Sequence, residues 1–265
     1  MFFFPIRDDN PTRARPIISY IVLALCMSVF FWQISLGDAQ RDAILALGMV
    51  PVRLFAPEAA YGLPNVIPAW MTLISSMFLH GGFMHLAGNM LYLWIFSDNV
   101  EDSIGRRNFV IFYLLCGIAA ALSQAFVDVR SNIPMIGASG AIAGVLGAYL
   151  LLHPRANIRC LVGFFIFFRM INVPAFLVLG GWIGLQFMSL GQVGGGGGVA
   201  YWAHIGGFVA GMALIPFFKK PHVKLFSKPV SRAFQVQGLA PHIPQVGKRA
   251  RKAKPKTPQE HPWQN

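Results

Sequence analysis

The chain has 265 residues, of which 55% are hydrophobic and only 12% charged, with a mean hydropathy of +0.55. A soluble domain carries about twice that charged fraction, so the composition excludes an ordinary soluble protein and points to a membrane. The formal net charge of +12 is uneven: eleven of the 22 Lys and Arg, but one of the ten acids, fall from Lys219 onward. The basic balance therefore describes a tail, not a nucleic-acid-binding fold, and no nucleic acid partner is expected.

Residues 1–16, MFFFPIRDDNPTRARP, start apolar and turn polar, and no small-residue cleavage site follows the first long apolar run. No cleavable signal or transit peptide is evident, and the segment is expected on the cytoplasmic side. A membrane span needs roughly 20 apolar residues, fewer where neighbours shield it. On that rule six stretches are predicted to span: 17–36, 83–97, 109–127, 139–152, 174–190 and 199–218. The run 158–168, IRCLVGFFIFF, is apolar but too short, and with Arg159 and Arg169 at its ends it is expected to be interfacial or re-entrant. The tail, 219–265, is Pro-rich, basic and poor in periodic apolar residues, so disorder and attraction to anionic lipid are expected of it. Cys26, Cys116 and Cys160 sit in or beside apolar runs at unrelated spacings and form neither a disulfide framework nor a metal pattern.

The cations support six spans. Arg7, Arg13 and Arg15 precede the first span, Arg106 and Arg107 follow the second, Arg155, Arg159 and Arg169 lie between the fourth and fifth, and the basic tail follows the sixth. All fall on one side if both termini are cytoplasmic, leaving only Arg41, Arg53 and Arg130 opposite. The expected fold is thus an all-α polytopic bundle of six helices, 17–218, between a short N-terminal segment and the tail.

Polar side chains inside lipid are costly and face a protein or water-filled interior. The predicted spans carry His85 and Asn89, which are four apart and share a helix face, then Ser139, then His204. The topology puts all four at similar depth toward the outer side. Ser139 is followed by Gly140, Ala143, Gly144 and Gly147, and His204 by Gly207 and Gly211. Such small-residue stripes let two helices touch, which would bring Ser139 Oγ within reach of a His204 ring nitrogen. A serine with a histidine base is the minimum for nucleophilic acyl transfer. His85, Asn89 and the N–H groups opening the fourth span are candidates for an oxyanion site.

These residues together resemble the rhomboid family of intramembrane serine proteases. The resemblance rests on HGGFMHLAGNM (80–90), GASGAIAG (137–144) and AHIGGFVAG (203–211), in the family's order, with VEDSIGRRNF (100–109) similar to its E-x-x-x-G ending. It covers roughly residues 10–218. It implies a six-helix bundle with a water-accessible cavity open to the outer face, and a Ser–His dyad without a third acid. Residue by residue, Ser139 matches the nucleophile, His204 the base, and His85 and Asn89 the oxyanion residues. His80 matches a supporting histidine, Gly137 the glycine beside the oxyanion site, and the loop with Gly194–Gly198 a mobile cap. Two positions depart. Many members carry, four residues after the serine, an aromatic that packs on the histidine, where this chain has Ala143. Many bacterial members have Trp-Arg in the first outer loop, where Arg53 here follows Val52.

The activity implied is a cofactor-free serine endopeptidase of single-span membrane proteins, expected in a bacterial inner membrane. The principal rival is a non-catalytic rhomboid-like protein that binds membrane clients; loss of the serine or histidine would mark it, and both are present. A transporter relay lacks its intramembrane carboxylates, since Asp98 sits at a span end. GASGA is not a nucleophile elbow, because Ala141 stands where that motif needs glycine. H-E-x-x-H is absent, and His80, His85 and His204 have no nearby acid or cysteine to complete a metal set.

Overall fold

A computed structural model describes residues 2–164, 167–190 and 199–227. Strand β1 (Phe2–Asp8) leads into α1 (Ile17–Ser35). Short helices follow, α2 (Gln40–Leu47), α3 (Pro51–Phe55) and α4 (Thr72–Ser75), and then the long pair α5 (Phe83–Ile104) and α6 (Arg106–Ala125). Helix α7 (Ser139–Leu152) precedes strands β2 (Asn157–Phe164) and β3 (Phe167–Pro174), and α8 (Ala175–Leu190) and α9 (Tyr201–Phe218) complete the described chain. The described residues form a mostly helical bundle with several apolar helices. Helices α1, α6 and α9 are each long and apolar enough to cross a bilayer, while α7 and α8 are apolar but shorter.

Helix α7 is the hub. It is apolar on every side, and ten consecutive residues, Gly140 to Tyr149, are buried; a helix of that kind is stable only when surrounded. Its neighbours reach it through missing side chains. A Cβ on Gly207 would strike the Gly140 carbonyl, one on Gly211 the Gly144 carbonyl, and one on Gly147 the Phe208 carbonyl, all inside van der Waals contact. The α7–α9 interface is therefore backbone against backbone, as the small-residue stripes predict. By contrast α1 buries only part of its surface and leaves Ile17, Tyr20, Ile21, Leu25, Phe31 and Ile34 exposed, an apolar face suited to acyl chains.

The second predicted span ends at residue 97, yet α5 runs on to Ile104, through Asn99, Glu101 and Ser103, all buried. Those polar residues end the apolar run without ending the helix, because each has a partner. Glu101 takes hydrogen bonds from Ile18 N (3.1 Å), Ser19 N (2.8 Å) and Ser19 Oγ (2.8 Å). Pro16 gives α1 no side-chain cap, so a carboxylate from another helix satisfies its first free N–H groups and complements its dipole. Gly105, at φ +85°, alone separates α5 from α6.

The described residues of the run 158–168 are extended rather than helical. They supply β2 and the start of β3, an antiparallel pair with Cys160 opposite Ile171, and β1 joins the other edge of β2 to make a β1-β2-β3 sheet. The run is rich in β-branched and aromatic residues, and the N-terminal Phe2–Asp8 stretch provides the second partner that a hairpin needs for stability. The root of the sheet is bonded to the bundle, where Asp8 Oδ2 accepts from Tyr149 OH (2.7 Å) and Asn99 Nδ2 (2.8 Å), and is tied across its own strands by Asn157 N donating to Asp9 Oδ1 (3.2 Å).

The chain does not leave the bundle at Phe218. Lys220 N donates to Ser103 O (3.0 Å), Phe226 N to Leu151 O (2.7 Å) and Ser227 N to Leu152 O (3.0 Å), so the first residues of the basic tail pack on the ends of α5 and α7. The rest of the tail, 228–265, lies outside the described residues, as do Gly194–Gly198.

Candidate active site

Ser139 is the first residue of α7, and Gly137 just before it has φ +124°, a conformation L side chains rarely adopt. This turn aims the serine hydroxyl across the α7–α9 contact. His204 stands in the first turn of α9, and its Nε2 lies 2.9 Å from Ser139 Oγ. Both side chains are half-buried, so the pair is neither sealed in the core nor on the outer surface. The contact exists because Gly140, next to Ser139, and Gly207, three residues after His204, bring the two backbones together.

The His204 ring is held on two further sides, both by α8. Nδ1 is 2.8 Å from Gln186 Oε1, and the Trp182 ring lies 5.6 Å from the imidazole, centroid to centroid, at 39°. Trp182 also stacks on Phe208 (6.3 Å) and meets Tyr92 (6.4 Å). Ala143 is fully buried and offers no ring, so the aromatic support comes from α8 instead of α7.

His85 opens α5 beside the serine. Gly81 N donates to its Nδ1 (3.3 Å), so in the neutral ring the hydrogen sits on Nε2. That Nε2 borders the space left by the missing Gly137 side chain. The position a Cβ would take there is 2.8 Å from His85 Nε2 and 3.7 Å from Ser139 Oγ. The Ser139 hydroxyl and the His85 ring thus both border the backbone at Gly137, and His204 meets the serine from α9; a nucleophile, a base and an N–H donor are the groups that acyl transfer through an oxyanion needs. Asn89 lies on the same face of α5 and is buried, but its Nδ2 donates to the His85 carbonyl (2.9 Å), within its own helix.

His80 is completely buried behind this group, with Nδ1 3.2 Å from Phe78 O and its ring edge-on to His85 at 5.3 Å. Its peptide is clasped by α1: Gln33 Nε2 donates to His80 O (3.1 Å) and His80 N to Gln33 Oε1 (2.9 Å). Arg53 is also buried, and its guanidinium donates to Ala46 O (2.9 Å), Leu45 O (3.3 Å), Ile67 O (3.0 Å) and Asn65 Oδ1 (3.4 Å). It pins the segment between α1 and α5. Among the described residues no group of three or more His, Cys, Asp or Glu is placed to hold a metal ion.

The sequence reading misses Gln186, Trp182 and Gln33. A signal for the two glutamines is present, since both are polar residues inside predicted spans, the same criterion that singles out His85 and His204. Their partners are not legible: one bonds a ring nitrogen on α9, the other a peptide before α5.

Comparison with known proteins agrees with this architecture. A family model described as Rhomboid domain matches residues 68–221. Rhomboid protease GluP of Bacillus subtilis is 30% identical over 205 residues, 76% of this chain and 36% of that protein. Rhomboid protein 1, mitochondrial, of Saccharomyces cerevisiae is 32% identical over 156 residues, 56% of this chain and 42% of that protein. Putative rhomboid protease YdcA of Bacillus subtilis is 34% identical over 83 residues, 31% of this chain and 41% of that protein. The matched region thus spans less than half the length of each of these relatives. The Rhomboid match covers more than half of the chain, including Ser139, His204 and the three motif stretches, and the chain belongs to the rhomboid family.

Proposed function

We propose that this protein is an intramembrane serine endopeptidase. The observation that carries the reading is the 2.9 Å contact between Ser139 Oγ and His204 Nε2 inside an apolar bundle. Relatives named as rhomboid proteases support the same class of activity. In this reading Ser139 Oγ attacks the scissile carbonyl as its proton passes to His204 Nε2. The oxyanion forms beside Gly137, where His85 Nε2–H and the free N–H groups of the first α7 turn donate to it, with Asn89 on the same face of α5 as a further oxyanion residue. His204 then protonates the leaving amine. A water attacks the acyl-enzyme, returning a proton through His204 to Ser139.

The substrates are single-span membrane proteins cut near small or helix-destabilising residues, because a scissile carbonyl is inaccessible while its helix keeps its hydrogen bonds. Six crossings with both termini on the cytoplasmic face of a bacterial inner membrane put the site toward the outer side and the basic tail beside anionic lipid. No cofactor is required.

The test is cleavage of a generic single-span substrate by the purified protein in liposomes, beside Ser139→Ala and His204→Ala. Cleavage by the wild type alone is expected. Cleavage surviving Ser139→Ala would exclude the nucleophile, and failure of a fluorophosphonate probe to label Ser139 would favour a non-catalytic client-binding protein.

A further inference from the structure

The amide of Gln186 has its orientation set by its own helix. Nε2 donates to the Trp182 carbonyl one turn earlier (3.3 Å), which leaves Oε1 facing His204 Nδ1 at 2.8 Å. An amide oxygen accepts and cannot donate, so the nitrogen it touches carries the hydrogen. A neutral imidazole has a single N–H. With that hydrogen on Nδ1, Nε2 presents a lone pair, and the 2.9 Å contact runs from Ser139 Oγ–H to His204 Nε2. The opposite tautomer would set a lone pair against the amide oxygen and turn an N–H toward the serine, leaving no base to take its proton.

We propose that Gln186 is a positioning residue that locks His204 in the tautomer able to deprotonate Ser139. The proposal rests on the reading of Ser139 and His204 as nucleophile and base. It replaces a two-residue site by a chain of three, Gln186–His204–Ser139, whose third member is neutral. The choice of an amide follows from the surroundings. A carboxylate would orient the ring equally well and would favour the imidazolium more strongly. Half-buried among apolar helices, however, it carries a desolvation cost that an amide, satisfied at both ends, avoids. When the imidazolium forms, the Oε1 partial charge faces the protonated ring and stabilises it without a permanent ion in the bundle. Gln186 and Trp182 are four residues apart on one face of α8, so a single helix both holds the ring and sets its proton, in a chain where Ala143 supplies neither contact.

The experiment uses the full-length protein in liposomes, with Gln186→Met and Gln186→Glu compared with wild type. Met keeps the length and apolar packing but removes the acceptor; Glu keeps an acceptor. Cleavage kinetics are read beside the 15N signals of labelled histidine, the His204 pair being identified by its loss in His204→Ala. The wild type is expected to show the Nδ1–H form. Gln186→Met should lower kcat by roughly 10- to 100-fold, part of what a positioned general base contributes, with KM within about 2-fold, and should shift His204 toward the other tautomer. Gln186→Glu should retain the Nδ1–H form and most of the rate. A packing role predicts the reverse order, Met harmless and Glu damaging, and that result would overturn the proposal. So would an unchanged tautomer in Gln186→Met. If wild type and variants alike fail to cleave, the protease reading fails, while the tautomer comparison still decides the part played by Gln186.

Discussion

Gly207→Ala tests the link between helix packing and the site. A Cβ at this position would collide with the Gly140 carbonyl oxygen and lie 3.0 Å from the Gly140 carbonyl carbon and 3.3 Å from Ala120 Cβ. All three obstacles are buried and two are backbone, so no side chain can swing away. Restoring ordinary contact distance requires α7 and α9 to part by about 1 Å at this level. Overpacking of this kind costs about 1–3 kcal/mol, offset by up to about 1 kcal/mol of helix propensity gained on replacing glycine. The effect on the site is larger than the effect on stability. Gly140 adjoins Ser139 and Gly207 is less than a turn from His204, so the separation falls on the 2.9 Å dyad contact and takes it beyond hydrogen-bond reach. A misplacement of about 1 Å costs on the order of 100-fold in rate. Gly181→Ala is the matched control, since a Cβ there meets nothing within 4 Å. It should leave cleavage unchanged and, if anything, raise the unfolding temperature. Both variants are read by thermal unfolding in detergent and by turnover of a single-span substrate in liposomes. Wild-type turnover in Gly207→Ala, or an equal loss in Gly181→Ala, would refute the claim that the backbone contact sets the dyad.

Glu101→Ala, which strips three hydrogen bonds from the start of α1, should lower stability by about 2–3 kcal/mol, and Glu101→Gln by less, as measured by thermal unfolding. Burial lowers the Arg53 pKa from its ordinary value, but the guanidinium stays charged, and its bonds to carbonyls hold the 36–70 segment. Arg53→Met should therefore speed proteolysis of that segment and cost about 2 kcal/mol of stability. Burial pushes the Asp8 carboxyl up to about 7, opposed by the Tyr149 hydrogen bond and reinforced by Asp98 and Asp9. In an undocked strand the carboxyl titrates near its ordinary value of 3.8, so the docked strand binds the extra proton between those values. Docking of β1 should be strongest below about pH 4, weaken as the pH rises through about 7 and then level off. Hydrogen exchange of the β1 amides, corrected for intrinsic rates, should follow that course, and Asp8→Asn should flatten it.

The amino-acid sequence by itself determined the membrane class, the helical character of the bundle and the polar residues that stand out within it. Lipid enforces a simple code in which apolar runs span and isolated polar groups mark function or contact. It also determined that α7 and α9 approach closely, because a stripe of Gly140, Gly144 and Gly147 facing Gly207 and Gly211 has no side chains to keep them apart. Only the tertiary structure decided where α5 ends. Asn99 and Glu101 read as a break in hydropathy, and nothing local announces that β1 and the start of α1 are their partners. The sheet was hidden for the same reason: the β2–β3 hairpin gains its third strand from residues 2–8, some 150 positions away, which pair with the free edge of β2. The support of His204 was likewise beyond a one-dimensional reading. Ala143 marks the absence of a ring at one position, but replacing it with Trp182 and adding Gln186 at Nδ1 depends on how α8 is set against α9, a long-range geometry that spacing along the chain does not encode.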